Sequence, residues 1–112
     1  MNGQPIIETY GGKILPPYVT VNKNGDGGLF KDADIEPNSM VSDTIGNLFL
    51  SDLNSLSIRR VDEKTSIIQA VIDQASFPQH LYAPQLFIWQ SSLFINTRNA
   101  IYEWYLAPPQ SP

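Results

Sequence analysis

The residues of this 112-residue chain that come nearest to a chemical motif are Asn22, Asn24 and Asp26, which precede Gly27. Oxygen-bearing side chains at alternate positions before a glycine are typical of the first half of a calcium-binding loop. Such a loop begins with Asp and carries a bidentate carboxylate at its twelfth position, which falls here on Ala33. The spacing therefore predicts a structural turn and no metal site.

Side chains that could catalyse a reaction are few and scattered. His80 is the only histidine and cysteine is absent, so a histidine-based metal centre has too few ligands and a thiolate site has none. The sequence contains no Gly-x-Ser-x-Gly elbow and no glycine-rich phosphate loop. Its carboxylates lie in separate predicted turns, so pairing any two as acid and base would be arbitrary. We predict a non-enzymatic protein without a cofactor and interpret His80 as an ordinary loop residue.

Positive charge is sparse, with seven Lys and Arg residues against eleven Asp and Glu residues and a net charge of −4. Binding to phosphate backbones depends on basic side chains that release counterions, so nucleic acid is a disfavoured partner. Arg59, Arg60 and Arg98 are the only hint of a basic patch. In one interpretation Arg59 and Arg60 pack their stems in the fold and pair with aspartates. The aspartates considered are Asp43, Asp52 and Asp62. In the other interpretation, the three arginines bind a ligand.

The densest group of aromatic side chains lies in the second half of the chain. Its members are Phe87, Trp89, Phe94, Tyr102, Trp104 and Tyr105. Tyr102 and Trp104 share one face of a predicted strand, because alternate residues of a strand point the same way. Core packing is the first interpretation, since aromatic side chains dominate core burial. The alternative is a surface on which a sugar or a peptide stacks, with Trp89, Tyr102 and Trp104 as binding residues.

The elements that must position these residues are β-strands. Short apolar runs between turn sequences predict strands at residues 38–42, 47–51, 57–61 and 66–71, with Gly46-Asn47 as a two-residue turn. A helix competes only for residues 65–74, where β-branched residues favour a strand. Leu93-Phe94-Ile95 repeats Leu48-Phe49-Leu50 at an offset of 45 residues. This second copy predicts strands at residues 85–89, 93–96 and 100–104.

Three segments of the first copy together resemble one NHL repeat, the unit of a class of β-propellers. They are Gly25-Asp26-Gly27-Gly28, the run from Gly46 to Asp52, and Ser57-Ile58-Arg59-Arg60-Val61-Asp62. The resemblance implies an all-β fold of antiparallel four-stranded propeller blades, and a period in the forties fits one blade. It also implies that the glycine-rich segment crosses from one blade to the next. Where the family usually has glycine, this chain has Ser39.

The resemblance implies a single domain, 1–112, with two blades. Residues 37–72 form the first blade, residues 84–105 form the second blade without its outer strand, and residues 106–112 are a proline-rich tail. Residues 5–10 resemble the end of the family's outer strand, so the chain is permuted by one strand. The missing strand of the second blade would then come from this segment.

Two blades cannot close a propeller, since closed propellers have about four to eight. Exposed blade faces and edges invite association. We predict that the chain assembles with itself, three copies giving six blades, with residues 5–10 completing a neighbour's last blade. The alternative is a fragment of a longer NHL-repeat protein, although a start at Met1 and a Pro-Pro-Gln-Ser-Pro end favour a complete small protein.

Propellers of this type serve several functions, so the fold does not select one. The leading interpretation is a binding or scaffold module that presents one propeller face to a protein or peptide. One alternative is a small oligomeric, lectin-like protein that binds carbohydrate between blades. Another is an enzyme whose sites assemble between chains. No run approaches the roughly 18 apolar residues of a membrane helix, and no secretory signal is seen, so the compartment is left open.

Overall fold

The computed structural model describes residues 6–12, 25–53, 55–77 and 84–106, which form two antiparallel β-sheets. The first sheet has the order β1-β2-β3-β4, and the second has the order β5-β6-β7. Strands of the first sheet are β1 (Pro37–Ser42), β2 (Leu48–Asp52), β3 (Ser57–Val61) and β4 (Ile68–Asp73). Strands of the second sheet are β5 (Gln85–Trp89), β6 (Ser92–Asn96) and β7 (Ile101–Tyr105). Short 3-10 helices occupy Phe30–Asp32 and Gln74–Ser76.

The predicted all-β architecture is confirmed. Each strand predicted between residues 38 and 104 is present, with its ends shifted by at most two residues. The segment that could have been a helix contains β4, as its β-branched residues indicated. Residues 6–10 pair with none of the strands that the structure describes, and their predicted pairing with a neighbouring chain stays a prediction. His80 and most of the proline-rich tail lie outside the described residues.

One face of the first sheet is covered by the segment at residues 25–36, and we call it the loop-covered face. Its apolar residues are Leu48, Leu50, Val61 and Ile68, which pack against Phe30, Ala33 and Ile35. The same segment also pairs with the outer edge of the sheet, where Gly27 N–H donates to the Ile68 carbonyl at 2.8 Å. Leu48 and Leu50 of β2 are consequently buried.

The turn between β1 and β2 differs from the predicted two-residue turn. It spans five residues, 43–47, because the Asp43 carboxylate organises the backbone. Asp43 Oδ1 accepts the N–H groups of Ile45, Gly46 and Asn47 at 2.9–3.0 Å, and Gly46 has a φ of 110°. The prediction of two residues was therefore wrong, although glycine is required in the turn.

The two sheets pack against each other through the opposite face of the first sheet, which we call the inter-sheet face. Phe49 and Ile58 of the first sheet form one buried cluster with Leu86, Leu93 and Ile95 of the second. Burial of these side chains is the main attraction between the sheets, at about 1.5–3 kcal/mol for each fully buried residue.

Polar contacts fix how β1 lies against β5. Asn38 Nδ2 and Ser51 Oγ both donate to the Pro84 carbonyl at 2.9 Å. Ser39 Oγ accepts the Leu86 N–H at 2.9 Å. Ser39, where the NHL family usually has glycine, is thus part of the contact between the sheets.

Candidate functional site

Arg59, one of the predicted ligand-binding residues, lies in the interior of the fold. Its side chain is fully buried and donates to Asp26 Oδ1 at 2.7 Å and to Asp52 Oδ2 at 2.9 Å. A further bond from Nη1 reaches the Asp34 carbonyl at 3.0 Å. The contact with Asp52 agrees with the interpretation in which Arg59 packs in the fold and pairs with aspartates. Arg59 therefore fastens the segment at residues 25–36 to the sheet and is not on a surface that ligand reaches from solvent.

Asp26 has a role that the sequence did not indicate. Its Oδ1 accepts Arg59, and its Oδ2 accepts the backbone N–H of Ala70 on the outer strand at 3.0 Å. Its partners lie 33 and 44 residues away, outside the structural turn that the sequence predicts. Both oxygens of the one described member of the calcium-like motif are thus engaged within the fold.

Arg60 and Arg98 are not brought together with Arg59. Arg60 points to the opposite face of β3, is half-buried, and pairs with Asp62 at 3.2 Å, one of the expected aspartates. Arg98 is exposed in the turn between β6 and β7. The three arginines therefore do not form the basic patch that a shared ligand site would need.

The acidic turns of the first sheet are ordered by hydrogen bonds. Partial burial raises the pKa of Asp43, but bonds from the Asn47 side chain and from three backbone N–H groups outweigh it and hold the pKa below 3.8. The backbone N–H of Thr65 is the main cause that lowers the pKa of Asp62. Both groups act on local backbone, and neither is paired with a second carboxylate as a general acid and base would be.

Tyr102 and Trp104, the second pair of predicted binding residues, face the first sheet. Trp104 meets Phe49 edge to face with ring centroids 6.2 Å apart, and Tyr102 meets Phe77 at 5.0 Å. Both side chains pack against the buried cluster between the sheets. Tyr102 and Trp104 therefore act as packing residues, as the first interpretation of the aromatic group proposes.

Trp89 lies on the other face of the second sheet, which is not covered by any described residue of the chain. This face, which we call the aromatic face, has large side chains with high exposed fractions. They are Phe87 at 43%, Trp89 at 62%, Ile101 at 69% and Tyr105 at 53%, together with the half-buried Phe94. Phe94 links the group, because its ring stacks on Phe87 at 4.9 Å and lies 6.4 Å from Trp89. Such a patch is typical of an interaction site.

The predicted binding residues therefore separate onto two faces of one sheet. The sequence predicts Trp89, Tyr102 and Trp104 as one group of binding residues and does not assign Phe87, Phe94 or Tyr105 to that group. The alternation of side chains along a strand could have separated the two faces from sequence, because Phe87 and Trp89 alternate with Leu86 and Ile88 along β5.

The aromatic face also carries polar groups. Ser92 Oγ donates to Glu103 Oε2 at 2.7 Å. Asn96 Oδ1 is buried and has no hydrogen-bond partner among the residues that the structure describes. A buried acceptor without a donor costs free energy, so a partner that donates a hydrogen bond to Asn96 would bind more tightly for it.

A concave site, separate from the aromatic face, lies between the sheets, where an open pocket has a volume of about 300 Å³. Its lining combines aromatic and polar side chains, among them Phe49, Arg60, Gln90 and Trp104. Stacking on an aromatic ring together with amide and guanidinium donors is suited to a polar ligand such as a sugar.

Comparison with known proteins gives no relative for this chain: no family model, no curated protein and no solved structure matches. Within the described residues, no group of three or more His, Cys, Asp or Glu side chains is placed to hold a metal ion. The same residues include no helix that is long and apolar enough to cross a membrane.

Proposed function

We propose that this protein is a non-enzymatic binding module whose aromatic face recognises a protein or peptide. The observation that carries the proposal is the exposure of Phe87, Trp89, Ile101 and Tyr105 on one sheet face. Tryptophan and tyrosine are enriched where proteins bind each other, because they bury a large area at a low cost in conformational entropy. Glu103 and Asn96 on the same face offer polar specificity beside the apolar contacts.

We further propose that the two sheets are successive blades of an NHL-like propeller. Two features support this: each sheet is an antiparallel meander, and β1 and β5, the first strands of the two sheets, lie side by side. Residues 5–10 would supply the outer strand that the second sheet lacks. This arrangement is compatible both with a chain that assembles with itself and with a chain that is part of a longer propeller.

A peptide library displayed on phage tests the proposed binding. Selection against the immobilised protein should yield peptides whose affinity falls at least about tenfold for Trp89→Ala and for Tyr105→Ala, since each removes a large aromatic contact. Val71→Ala is the matched control, because Val71 is partly exposed on β4 of the first sheet. Selected peptides that bind both aromatic variants as well as the original protein would contradict the proposal.

Carbohydrate binding is the second candidate, and the pocket beside Trp104 favours it. A glycan array would show binding that is lost on Arg60→Ala or Gln90→Ala, two changes that leave the buried cluster intact. Binding that survives both changes would exclude this pocket as the site.

A further inference from the structure

The aromatic face is equivalent, within the repeat, to the inter-sheet face of the first sheet. Val41 is paired with Phe49 in the first sheet, as Phe87 is paired with Phe94 in the second. The offset of 45 residues relates Phe49 to Phe94. Val41 and Phe49 are covered by the second sheet, whereas Phe87 stays exposed. What covers the first face within the chain therefore indicates what covers the second.

Part of the surface that would cover it is also exposed, although residues 25–36 cover the rest of that face. Leu86, which packs against the first sheet and is 7% exposed, is paired with Ile95. Its equivalent is Met40, which is paired with Leu50 and is 57% exposed. Met40 points away from the second sheet, on the side of the loop-covered face. The chain thus carries the exposed aromatic face and, on its opposite side, an exposed part of the complementary surface, and one chain cannot join the two.

A polar position repeats in the same register. Ser51, which donates to the Pro84 carbonyl across the contact between the sheets, is related to Asn96 by the offset of 45 residues. Pro37 leads β1 as Pro84 precedes β5. The Asn96 amide both donates and accepts, and its Oδ1 has no partner in the described part of the chain. Backbone groups at residues 37–40 of a second chain would meet this amide as those near Pro84 meet Ser51.

We propose that the aromatic face binds the exposed side of β1 in a second copy of this chain and so repeats, head to tail, the contact between the two sheets. The proposal names the partner of the surface in the proposed function and rests on it. Phe87 of one copy packs against Met40 of the next, and Asn96 bonds to backbone at residues 37–40. A head-to-tail contact of this kind closes into a ring or extends as a filament. Three copies give a ring of six blades, within the usual range of about four to eight.

The position of residues 6–12 agrees with this contact. Tyr10 lies edge to face against Phe30, which covers the loop-covered face, and Gly12 N–H donates to the Phe30 carbonyl at 2.9 Å. Residues 6–10 therefore emerge on the side of the chain that meets the second sheet of the preceding copy. Among the described residues, none pairs with the outer edge of β7. The incoming segment can add a strand there.

Light scattering on the purified chain tests the partner. The expected mass is a multiple of 12.5 kDa, with three times that value for a six-bladed ring. Met40→Glu and Phe87→Glu each introduce a charge into one half of the contact, and each variant alone should have the mass of a single chain. Val71→Glu is the matched control and should assemble as the unchanged protein does, because Val71 lies on the outer strand.

Mixing the two variants decides the geometry. The intact aromatic face of Met40→Glu can bind the intact β1 side of Phe87→Glu, so the mixture should form a dimer of twice 12.5 kDa that cannot grow. If Phe87→Glu is not folded by circular dichroism, Ile101→Glu replaces it. Asn96→Ala should raise the dissociation constant of the assembly by about 2- to 10-fold, which corresponds to the loss of one neutral hydrogen bond.

Three results would overturn the inference. The first is a single-chain mass for the unchanged chain at millimolar concentration. The second is full assembly of Met40→Glu but not of Phe87→Glu, which describes two aromatic faces meeting. The third is a mixture of the variants that stays at 12.5 kDa while the unchanged chain assembles. Peptides that bind through Trp89 to a single-chain protein would overturn self-association and leave the proposed function standing. A single-chain mass together with no selected peptide would overturn both.

Discussion

Replacing Arg59 with methionine should destabilise the fold more than any other single arginine change. Methionine keeps the apolar stem of Arg59 but removes the guanidinium that bonds to Asp26 and Asp52. The Asp52 side chain is fully buried, and it then loses its ion pair with Arg59. Removing one partner of a buried ion pair costs about 3–5 kcal/mol, because the other charge stays in a medium that solvates it poorly. That loss is a large part of the roughly 5–15 kcal/mol that stabilises a domain.

Urea unfolding followed by circular dichroism measures this loss. Arg60→Met is the matched control, because Arg60 is the next residue of β3, points to the other face and is half-buried. Its midpoint should stay close to that of the unchanged protein, since partly exposed ion pairs contribute little. Asp52→Asn and the double variant Arg59→Met/Asp52→Asn complete a cycle. Because the two residues bond to each other, the double change should cost less than the sum of the single changes by about 1–3 kcal/mol.

Two results would refute the reasoning. If Arg59→Met and Arg60→Met shift the midpoint equally, burial of the Arg59 network does not govern its contribution. If the single changes add, Arg59 and Asp52 do not act as a pair. Where Arg59→Met does not fold at all, Asp26→Asn serves instead, because Asp26 is partly exposed and keeps one acceptor oxygen for Arg59. Its expected cost is about 1.5–3 kcal/mol, the range for a hydrogen bond to a charged group.

Three further changes test local features of the first sheet. Folding lowers the pKa of Asp43, so the stabilising contribution of its carboxylate is complete above pH 3.8 and is lost as the pH falls through the still lower pKa of the folded state. The difference in unfolding free energy between the unchanged protein and Asp43→Asn should therefore shrink below pH 3.8. A difference that stays constant with pH would contradict this prediction. Gly27→Ala should lower the unfolding free energy by about 1–2 kcal/mol from backbone strain alone, since Gly27 has a φ of 88° and its added Cβ meets no atom within 4 Å; Gly27→Asn should cost less, and equal costs would point to another cause. Ser51→Ala should cost about 1 kcal/mol by removing the bond to the Pro84 carbonyl, whereas an unchanged urea midpoint would mean that this bond does not hold the sheets together.

The strands were predictable from sequence because each is a local signal. Apolar residues alternate or cluster over four to six positions, and turn residues separate them, so the β-strands at Pro37–Ser42 and Ser57–Val61 could be placed without knowledge of the fold. Turn geometry was less accessible. The Asp43 side chain decides the length of the β1–β2 turn, and Gly46-Asn47 alone indicated a shorter one.

The candidate site was only partly predictable. The aromatic group was evident in the sequence, but whether a given ring is buried depends on which face of its strand meets the other sheet. Tyr102 and Trp104 meet the first sheet, whereas Trp89, one of the residues grouped with them, does not. The bonds from Asp26 to Arg59 and Ala70 likewise join residues far apart in sequence, which no local pattern specifies.

The two sheets are protected unequally, and that difference locates where association should occur. The first sheet has one face covered by residues 25–36, the other covered by the second sheet, and part of its outer edge paired through Gly27 and Gly28. The second sheet has one covered face only, and among the described residues nothing pairs with the edge of β7. Exposed apolar faces and unpaired edges are the features that drive β-proteins to associate. The repeat leaves the aromatic face exposed on the second sheet and, on the first sheet, the Met40 side of β1, which is part of the complementary surface. Two exposed surfaces of this kind on one chain favour association between its copies.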